Sequence, residues 1–365
     1  MICAPPPKVS EQMECETLII GGGLSGLRLA ALLAERGDDF QVLEARDRFG
    51  GRILTETYEN SSYDLGPAWF WPGQERMAHL IQRFGLQQFD QHAAGILAYE
   101  DETGGVQHGR GFASMEGSYR LHGGLGALID AMVADLPKAR LHLSHPVETL
   151  RRAETAIEVT TGAGRTVLAR RVVLALPPRV AAGLSFAPAL SDPAIRAMQI
   201  VATWMAGQAK AIAFYDTPFW REAGLSGDAT SRRGPMVEIH DASPRTGGPA
   251  ALFGFIGVPP HARRDKDALD KAIRAQLGRL FGPQAAKPKQ LLVKDWAVDV
   301  FTSTKLDQQP LYNHPRYGRH PVLDSLWNRR LIFWGTEMGA RFGGYLEGAL
   351  EAAEDVAAML AMEKV

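Results

Sequence analysis

The chain has 365 residues, about two domains' worth at roughly 100–200 residues each, and long enough for a sizeable core. Its 45% hydrophobic and 22% charged content excludes overall disorder and a collagen-like or low-complexity chain. Forty Lys+Arg against forty-one Asp+Glu leave a net charge of −1, so no global field recruits nucleic acid, and no apolar run approaches the roughly 18 residues of a membrane span.

Residues 1–15 read as a flexible leader with three prolines, and lack the basic and apolar regions of a secretory signal. Cys3 and Cys15 lie in or beside it, where a disulfide would staple nothing; free thiols in a reducing, cytoplasmic compartment are expected. Glu16 to Ile20 is a predicted strand, Leu24 to Arg36 a helix closed by Gly37, and Phe40 to Leu43 a second strand ending on Glu44. Gln74 to Leu86 is helical, whereas Gly95 to Gly117 is glycine-rich and weakly patterned. Gly124 to Leu136 is a helix, and Arg140 to Leu176 alternates as a run of strands. Further strands fall near Lys210–Tyr215, Met236–His240, Ala251–Ile256 and Leu291–Trp296, with a helix over Lys266–Phe281. Leu331–Trp334 is a last buried strand, and Tyr345–Met362 a long helix.

Gly21-x-Gly23-x-x-Gly26 joins the first strand to the first helix, and Glu44 follows 18 positions past Gly26. In that context it reads as a dinucleotide fingerprint. Gly21 permits a tight turn, Gly23 lets the backbone approach a pyrophosphate, and Gly26 allows close helix–strand packing. The helix N-terminus offers free N–H groups to phosphates. Glu44 suits a ribose diol and repels a 2′-phosphate, which disfavours NADP.

The next segment is Leu43-Glu44-Ala45-Arg46-Asp47-Arg48-Phe49-Gly50-Gly51-Arg52. Together with Asp64-Leu65-Gly66, Ala175-Leu176-Pro177-Pro178, Pro218-Phe219-Trp220, Gly335-Thr336-Glu337 and Gly344-Tyr345-Leu346-Glu347-Gly348-Ala349, it resembles the flavin-containing amine oxidase family of monoamine and polyamine oxidases. The matched blocks run in family order from residue 18 to residue 355. The resemblance implies an α/β fold with a discontinuous Rossmann-like FAD-binding domain over 16–73, 118–201 and 320–365. An α+β substrate domain with a mixed or antiparallel sheet is then inserted over 74–117 and 202–319, with a reduced helical cap.

The implied cofactor is non-covalent FAD. Gly21, Gly23, Ser25 and Gly26, with Leu24 beside them, would hold the pyrophosphate, and Glu44 the adenosine ribose. Arg52 and Gly66, Pro67, Ala68 and Trp69 would lie along the phosphates and flavin. Val147 would meet adenine through its backbone, and Glu337 and Leu346 the ribityl–phosphate region. Ala45, Arg46, Gly51, Trp296, Gly335 and Tyr345 complete the cofactor-facing set; Arg46 reads equally well as an ion pair. No metal is implied.

For catalysis the resemblance implies hydride transfer from a neutral amine to flavin, with an aromatic pair flanking the amine. Tyr345 matches one wall. The other falls at Leu306, which is not aromatic, so Phe301, Tyr312 and Trp334 are candidates to replace it. The family's flavin-adjacent lysine falls near Pro260 or His261; His261, Lys210 and Lys305 are candidates for its water-holding role. Lys305 also stands where animal monoamine oxidases carry the cysteine that binds flavin covalently. Trp69 occupies the place of the carboxylate-gripping arginine of amino-acid oxidases, which ranks amines above amino acids. The implied partners are a small-molecule amine, bulky if the cavity is open, and oxygen or another electron acceptor. A second subunit, as in a homodimer, could cover a cavity that the short stretch 74–118 leaves uncapped. Two alternatives stay open: a flavin desaturase or dehydrogenase acting on a C–C or C–N bond, and a flavin-binding partner protein without turnover.

Overall fold

The computed structural model describes residues 13–109, 111, 113–309, 311 and 313–362. Two compact units divide the chain: Met1–Gly51, Met132–Val201 and Arg316–Val365 form the first, Arg52–Ala131 and Ala202–Pro315 the second. Cys3 and Tyr312 lie outside the described residues.

The first unit is built on strand Thr166–Leu174, which pairs in parallel with Met13–Ile20 and antiparallel with Ile157–Thr161. Met13–Ile20 pairs in parallel with Phe40–Leu43, and Leu331–Phe333 lies parallel to residues 172–174. The apolar runs Leu18-Ile19-Ile20 and Val172-Val173-Leu174 are buried throughout, as strands covered on both faces require. Helix Leu24–Glu35 buries Leu27, Ala30 and Leu33, and Gly37 follows its C-cap with φ 71°, the left-handed stop a glycine accepts without cost. Helix Leu346–Met362 packs against it, joined by the pair Arg28–Glu354 at 3.4 Å. The first strand begins at Met13, inside the expected leader, and buries Cys15.

The second unit carries a seven-stranded mixed sheet in the order Gln290–Asp295, Ala209–Tyr215, Ala250–Ile256, Met236–Asp241, Leu225–Ser231, Ile96–Glu100, Val106–Gly109. Only Leu225–Ser231 and Ile96–Glu100 run in parallel among these neighbours. Strand alternation sorts the two faces. Ala211, Ala213, Leu252 and Ile239 pack under helix Lys266–Phe281 through Ile273 and Leu277. Ile212, Phe214, Ala251 and Phe253 face the other way, onto Tyr63, Leu65, Ala68 and Trp69. That second contact explains why the units part at Gly51/Arg52 and Ala131/Met132, whereas the sequence reading set the changes at 73/74 and 117/118. The hairpin Thr55–Tyr58/Ser61–Asp64 and the residues after it bury their side chains on this sheet.

The stretch 95–117 is more ordered than its glycines suggest. Ile96–Glu100 and Val106–Gly109 form a hairpin that extends the sheet, with Asp101 accepting from Thr103 and Gly105 amides in the turn. Among the described residues no helix is long and apolar enough to cross a membrane.

At Gly26 a Cβ would lie 1.9 Å from the Gly21 carbonyl oxygen, so backbone would have to move. Gly26→Ala is expected to destabilise the protein by about 3 kcal/mol or more, as overpacking against immobile backbone does. Urea unfolding checks this; a midpoint shift worth less than about 1 kcal/mol would contradict the close approach.

Candidate active site

In the first unit the turn 21–26 separates two kinds of glycine. A Cβ on Gly21 would sit 2.5 Å from the Ala175 carbonyl oxygen, and Gly26 is closed in as above. Gly23 is different: its Cβ would meet nothing nearer than 3.9 Å, and its φ of −77° suits any residue. Packing inside the unit therefore does not require glycine there, but the approach of an outside group would. Gly23 caps helix Leu24–Glu35 without a side-chain hydrogen bond, and the first intrahelical bond is Leu27 N–H to Gly23 O at 2.9 Å. The amides of Leu24, Ser25 and Gly26 thus have no carbonyl in their own helix. No acidic residue occupies the first turn. This donor set fits a pyrophosphate.

Glu44 is buried beside that turn. Its Oε2 accepts the Gly22 amide at 2.8 Å and its Oε1 the Arg46 amide at 2.9 Å, with Arg46 Nη1 at 3.7 Å. Two carboxylate oxygens carry about four acceptor positions, so capacity remains for a ribose diol. Arg46 therefore is an ion-pair partner of Glu44. Ala45 lies between them, and Gly51 approaches Gly23, its would-be Cβ 3.2 Å from Gly23 Cα. Val147 is half-buried at the start of strand Val147–Arg152.

A second open helix end lies at the C-terminal block of the same unit. Gly344 has φ 83°, Thr336 Oγ1 donates to the Tyr345 carbonyl at 2.7 Å, and Ala349 N–H returns to that carbonyl at 3.2 Å. The amides of Leu346, Glu347 and Gly348 are again without a carbonyl in their own helix. Glu337 and Gly335 are buried beside them, whereas Tyr345 is 40% exposed. Trp334 is buried under the Arg319 guanidinium, 5.1 Å from its ring.

In the second unit the irregular segment Leu65 to Trp69 is held by three other residues, two donating to it and one accepting from it. Trp296 Nε1 donates to the Leu65 carbonyl at 3.0 Å, Lys210 Nζ to the Gly66 carbonyl, and Trp69 Nε1 to Gln91 Oε1 at 2.8 Å. Gly66 is glycine because a Cβ would sit 2.1 Å from the Arg52 carbonyl oxygen. Ala68 and Trp69 are buried; Trp69 meets Phe253 and His240 edge-on, both at 5.3 Å. Burial pushes the Lys210 amine down to about 7 against the opposing pull of Asp64, while burial pushes Asp64 up to about 6. Lys210 lies 5.0 Å from the Phe255 ring and 5.3 Å from Phe253.

The remaining candidates do not gather in this buried cluster. His261 is exposed on the short turn Pro260–Ala262; Lys305 and Leu306 are exposed on the turn Lys305–Asp307, Leu306 by 55%; and Phe301 is half-buried. Gln91 was not anticipated, and neither was a buried polar group on strands Leu225–Ser231 and Met236–Asp241. There Asp228 and His240 meet at 2.6 Å. The alternation Glu238-Ile239-His240 inside a buried strand was the available signal.

The flavin containing amine oxidoreductase family matches this chain over residues 24–111 and 97–361. The chain belongs to that family. It is 23% identical to a probable flavin-containing monoamine oxidase A of Dictyostelium discoideum over 442 aligned positions, 92% of this chain and 95% of the relative. It is 23% identical to human amine oxidase [flavin-containing] B, covering 94% of this chain and 85% of that one. The fold is shared with putrescine oxidase in its wild-type form bound to putrescine, at TM-score 0.80 and 20% identity over 96% of this chain and 100% of that one. Cyclohexylamine oxidase from Brevibacterium oxydans gives TM-score 0.79 at 20% identity, over 96% and 99%. This amine oxidase is an FAD-dependent oxidoreductase acting on amines.

Two outcomes follow. Gly23→Ala is expected to leave apoprotein stability within about 1 kcal/mol, in contrast to Gly26→Ala, yet to weaken FAD binding at least about tenfold, roughly 1.4 kcal/mol; urea titration and flavin-fluorescence titration check the pair. Lys210 makes stability pH-dependent. Between pH 7 and 10.5 the unfolded chain binds a proton here that the folded amine has released, so this group's contribution to stability rises with pH across that window. The stability of Lys210→Met relative to the parent should therefore be most favourable near pH 6.5 and fall by pH 9.5. A difference independent of pH would place the titration elsewhere.

Proposed function

We propose that this enzyme oxidises a primary or secondary amine to an imine, which water hydrolyses to an aldehyde or ketone plus ammonia or an amine, with oxygen as the final acceptor. The observation that carries the amine reading is Trp69, laid on Phe253 where a carboxylate-binding arginine would otherwise stand. A substrate carboxylate beside that ring would lose its hydration without a partner, at a cost of several kcal/mol for a charge.

Bound FAD supplies the two-electron acceptor for the hydride leaving the carbon that bears nitrogen. The chain's own work is positioning and exclusion of water. The amides of Leu24 to Gly26 and of Leu346 to Gly348 offer donors to the anionic parts of the cofactor, and Glu44 accepts from its ribose. The segment Gly66 to Trp69, clamped by Trp296 and Lys210, presents a fixed aromatic surface. Tyr345, exposed at the start of its helix, is the proposed aromatic contact for the amine.

Non-covalent attachment has a structural argument. Cys15, the one cysteine among the described residues, is buried in the first strand, and burial, then Asp39 and Glu16, push its thiol up to about 12. It supplies no thiolate for a flavin link. A second reading, a dehydrogenase with another acceptor, is favoured by one observation: His261 and Lys305 are both exposed on surface turns.

Acid precipitation should release all FAD from the yellow protein, and anaerobic mixing with a panel of primary, secondary and polyamines should bleach it. Tyr345→Ala should retain FAD but slow reduction about tenfold or more, roughly 1.4 kcal/mol of barrier. An unchanged rate overturns the role of Tyr345, and bleaching only by dithionite overturns amine oxidation.

A further inference from the structure

We propose that Gln91 is a positioning residue for the amine: by locking the indole of Trp69 in one orientation, it sets how tightly an amine is held on that ring. The proposal deepens the amine-oxidation reading above and rests on it. Trp69 is buried, and its Nε1–H can only donate. Gln91 Oε1 accepts that hydrogen bond at 2.8 Å. The other end of the same amide is fully used, since Nε2 donates to the His92 carbonyl at 3.0 Å and to the Asp241 carbonyl at 2.7 Å. An indole N–H only donates and a carbonyl only accepts, so one orientation of the amide satisfies all three bonds and its flip satisfies none. Gln91 is 5% exposed, and its backbone amide is tied to the Ser118 carbonyl at 2.9 Å.

The segment that Gln91 grips is itself fixed. The Asp241 carboxylate accepts from Trp220 Nε1 at 2.8 Å, from Arg221 Nε at 2.7 Å and from the Ser243 amide at 2.8 Å. Arg120 donates to the Ala242 and Ser243 carbonyls at 2.9 and 2.8 Å. Helix Phe219–Glu222 and strand Tyr119–Leu121 thus hold one end of the Gln91 amide, and the amide holds the indole. Phe253 and His240 meet the Trp69 ring edge-on, but Gln91 has open space beside it. It shares the wall of a cavity of about 650 Å³ with Phe89, Tyr119, Arg221 and Arg245, and Trp69 is not part of that wall. Gln91 therefore stands between the indole and the cavity. A side chain there without an acceptor leaves the buried N–H unsatisfied and gives it a reason to turn towards water. When the binding-competent orientation is only partly populated, apparent affinity falls by that fraction. The lock acts on amine binding in this way, without touching the amine.

The probe is α,α-dimethylphenethylamine, which has no hydrogen on the carbon bearing nitrogen and so binds without being oxidised. It is titrated into the oxidised holoenzyme and followed by flavin absorbance. Gln91→Leu is expected to retain FAD and to weaken probe binding at least about fivefold, the scale of one lost buried hydrogen bond. In a Trp69→Phe background, which has no indole N–H, the same substitution is expected to change affinity less than about twofold. Isotope-labelled tryptophan reports the lock directly. The indole N–H resonance missing from Trp69→Phe identifies Trp69; it is expected to be protected from exchange in the parent and to lose protection in Gln91→Leu. Should Gln91→Leu fail to hold FAD, Gln91→Met, of similar length, takes its place. An unprotected Trp69 indole in the parent, a parent that does not bind the probe, unchanged affinity in the variant, or an equal loss in both backgrounds overturns the proposal. Anaerobic mixing with phenethylamine and the wider amine panel tests oxidation separately. Probe binding with the expected pattern, but no flavin reduction by any amine, would sink the catalytic reading while the role of Gln91 stands.

Discussion

The second unit depends on how the segment from Asp64 to Trp69 is allowed to run buried without a partner strand. Its carbonyls leave the hairpin ladder and enter a face made of Ile212, Phe214 and Phe253, where water is excluded. Each orphaned carbonyl there would cost about 1–3 kcal/mol. Trp296 and Lys210 supply the missing donors at Leu65 and Gly66, and the Asp64 carboxylate accepts the Leu125 amide at 3.0 Å. Distant parts of the chain are thereby tied to one short stretch. The same bonds fix the direction of the Trp69 ring, because its backbone is held before it and its indole N–H is held by Gln91. A charged lysine is an expensive donor in this setting, and lowering its pKa is the way the site accommodates it.

A parallel logic governs the first unit, but with backbone in place of side chains. Gly21 and Gly26 bring strand and helix into contact, and the helix end has no side-chain cap, so its first amides have no carbonyl within the helix. Glu44 then holds the Gly22 amide from the neighbouring strand, so the turn keeps its shape before any ligand arrives. Preorganisation of this sort reduces the ordering cost that binding must otherwise meet. The C-terminal block repeats the device with Thr336, whose hydroxyl and carbonyl both receive the Gly344 amide at 3.0 and 3.1 Å.

How much of this was legible in the sequence differs by kind of interaction. Strand–helix–strand at 16–44 and the helices over 266–281 and 345–362 are local, carried by periodicity and by Gly37; the helices appear within a residue, and the first strand starts three residues earlier. The fingerprint glycines were legible as a group, although the distinction between Gly26, fixed by packing, and Gly23, open to space, needs coordinates. Contacts across the second unit were not legible. Lys210 and Gly66 are 144 residues apart, and nothing in either neighbourhood signals the other. The hairpin at 96–109 was hidden by glycines that in fact serve its turn and edge. Gln91 carried no motif at all, and its role arises from the indole it meets.

The substrate reading shows where residue-by-residue inference stops short. Trp69 in place of an arginine argues against a carboxylate, and read alone it points to an apolar or aromatic amine. Beneath it, His240 meets the same ring edge-on and has a carboxylate oxygen within hydrogen-bond reach of each of its nitrogens. Trp69 in that place supports the proposed preference for amines over amino acids. The hairpin strand Ile96–Glu100 pairs with Leu225–Ser231, the strand that carries Asp228. The glycine-rich stretch is thus part of the sheet that positions Asp228 and His240.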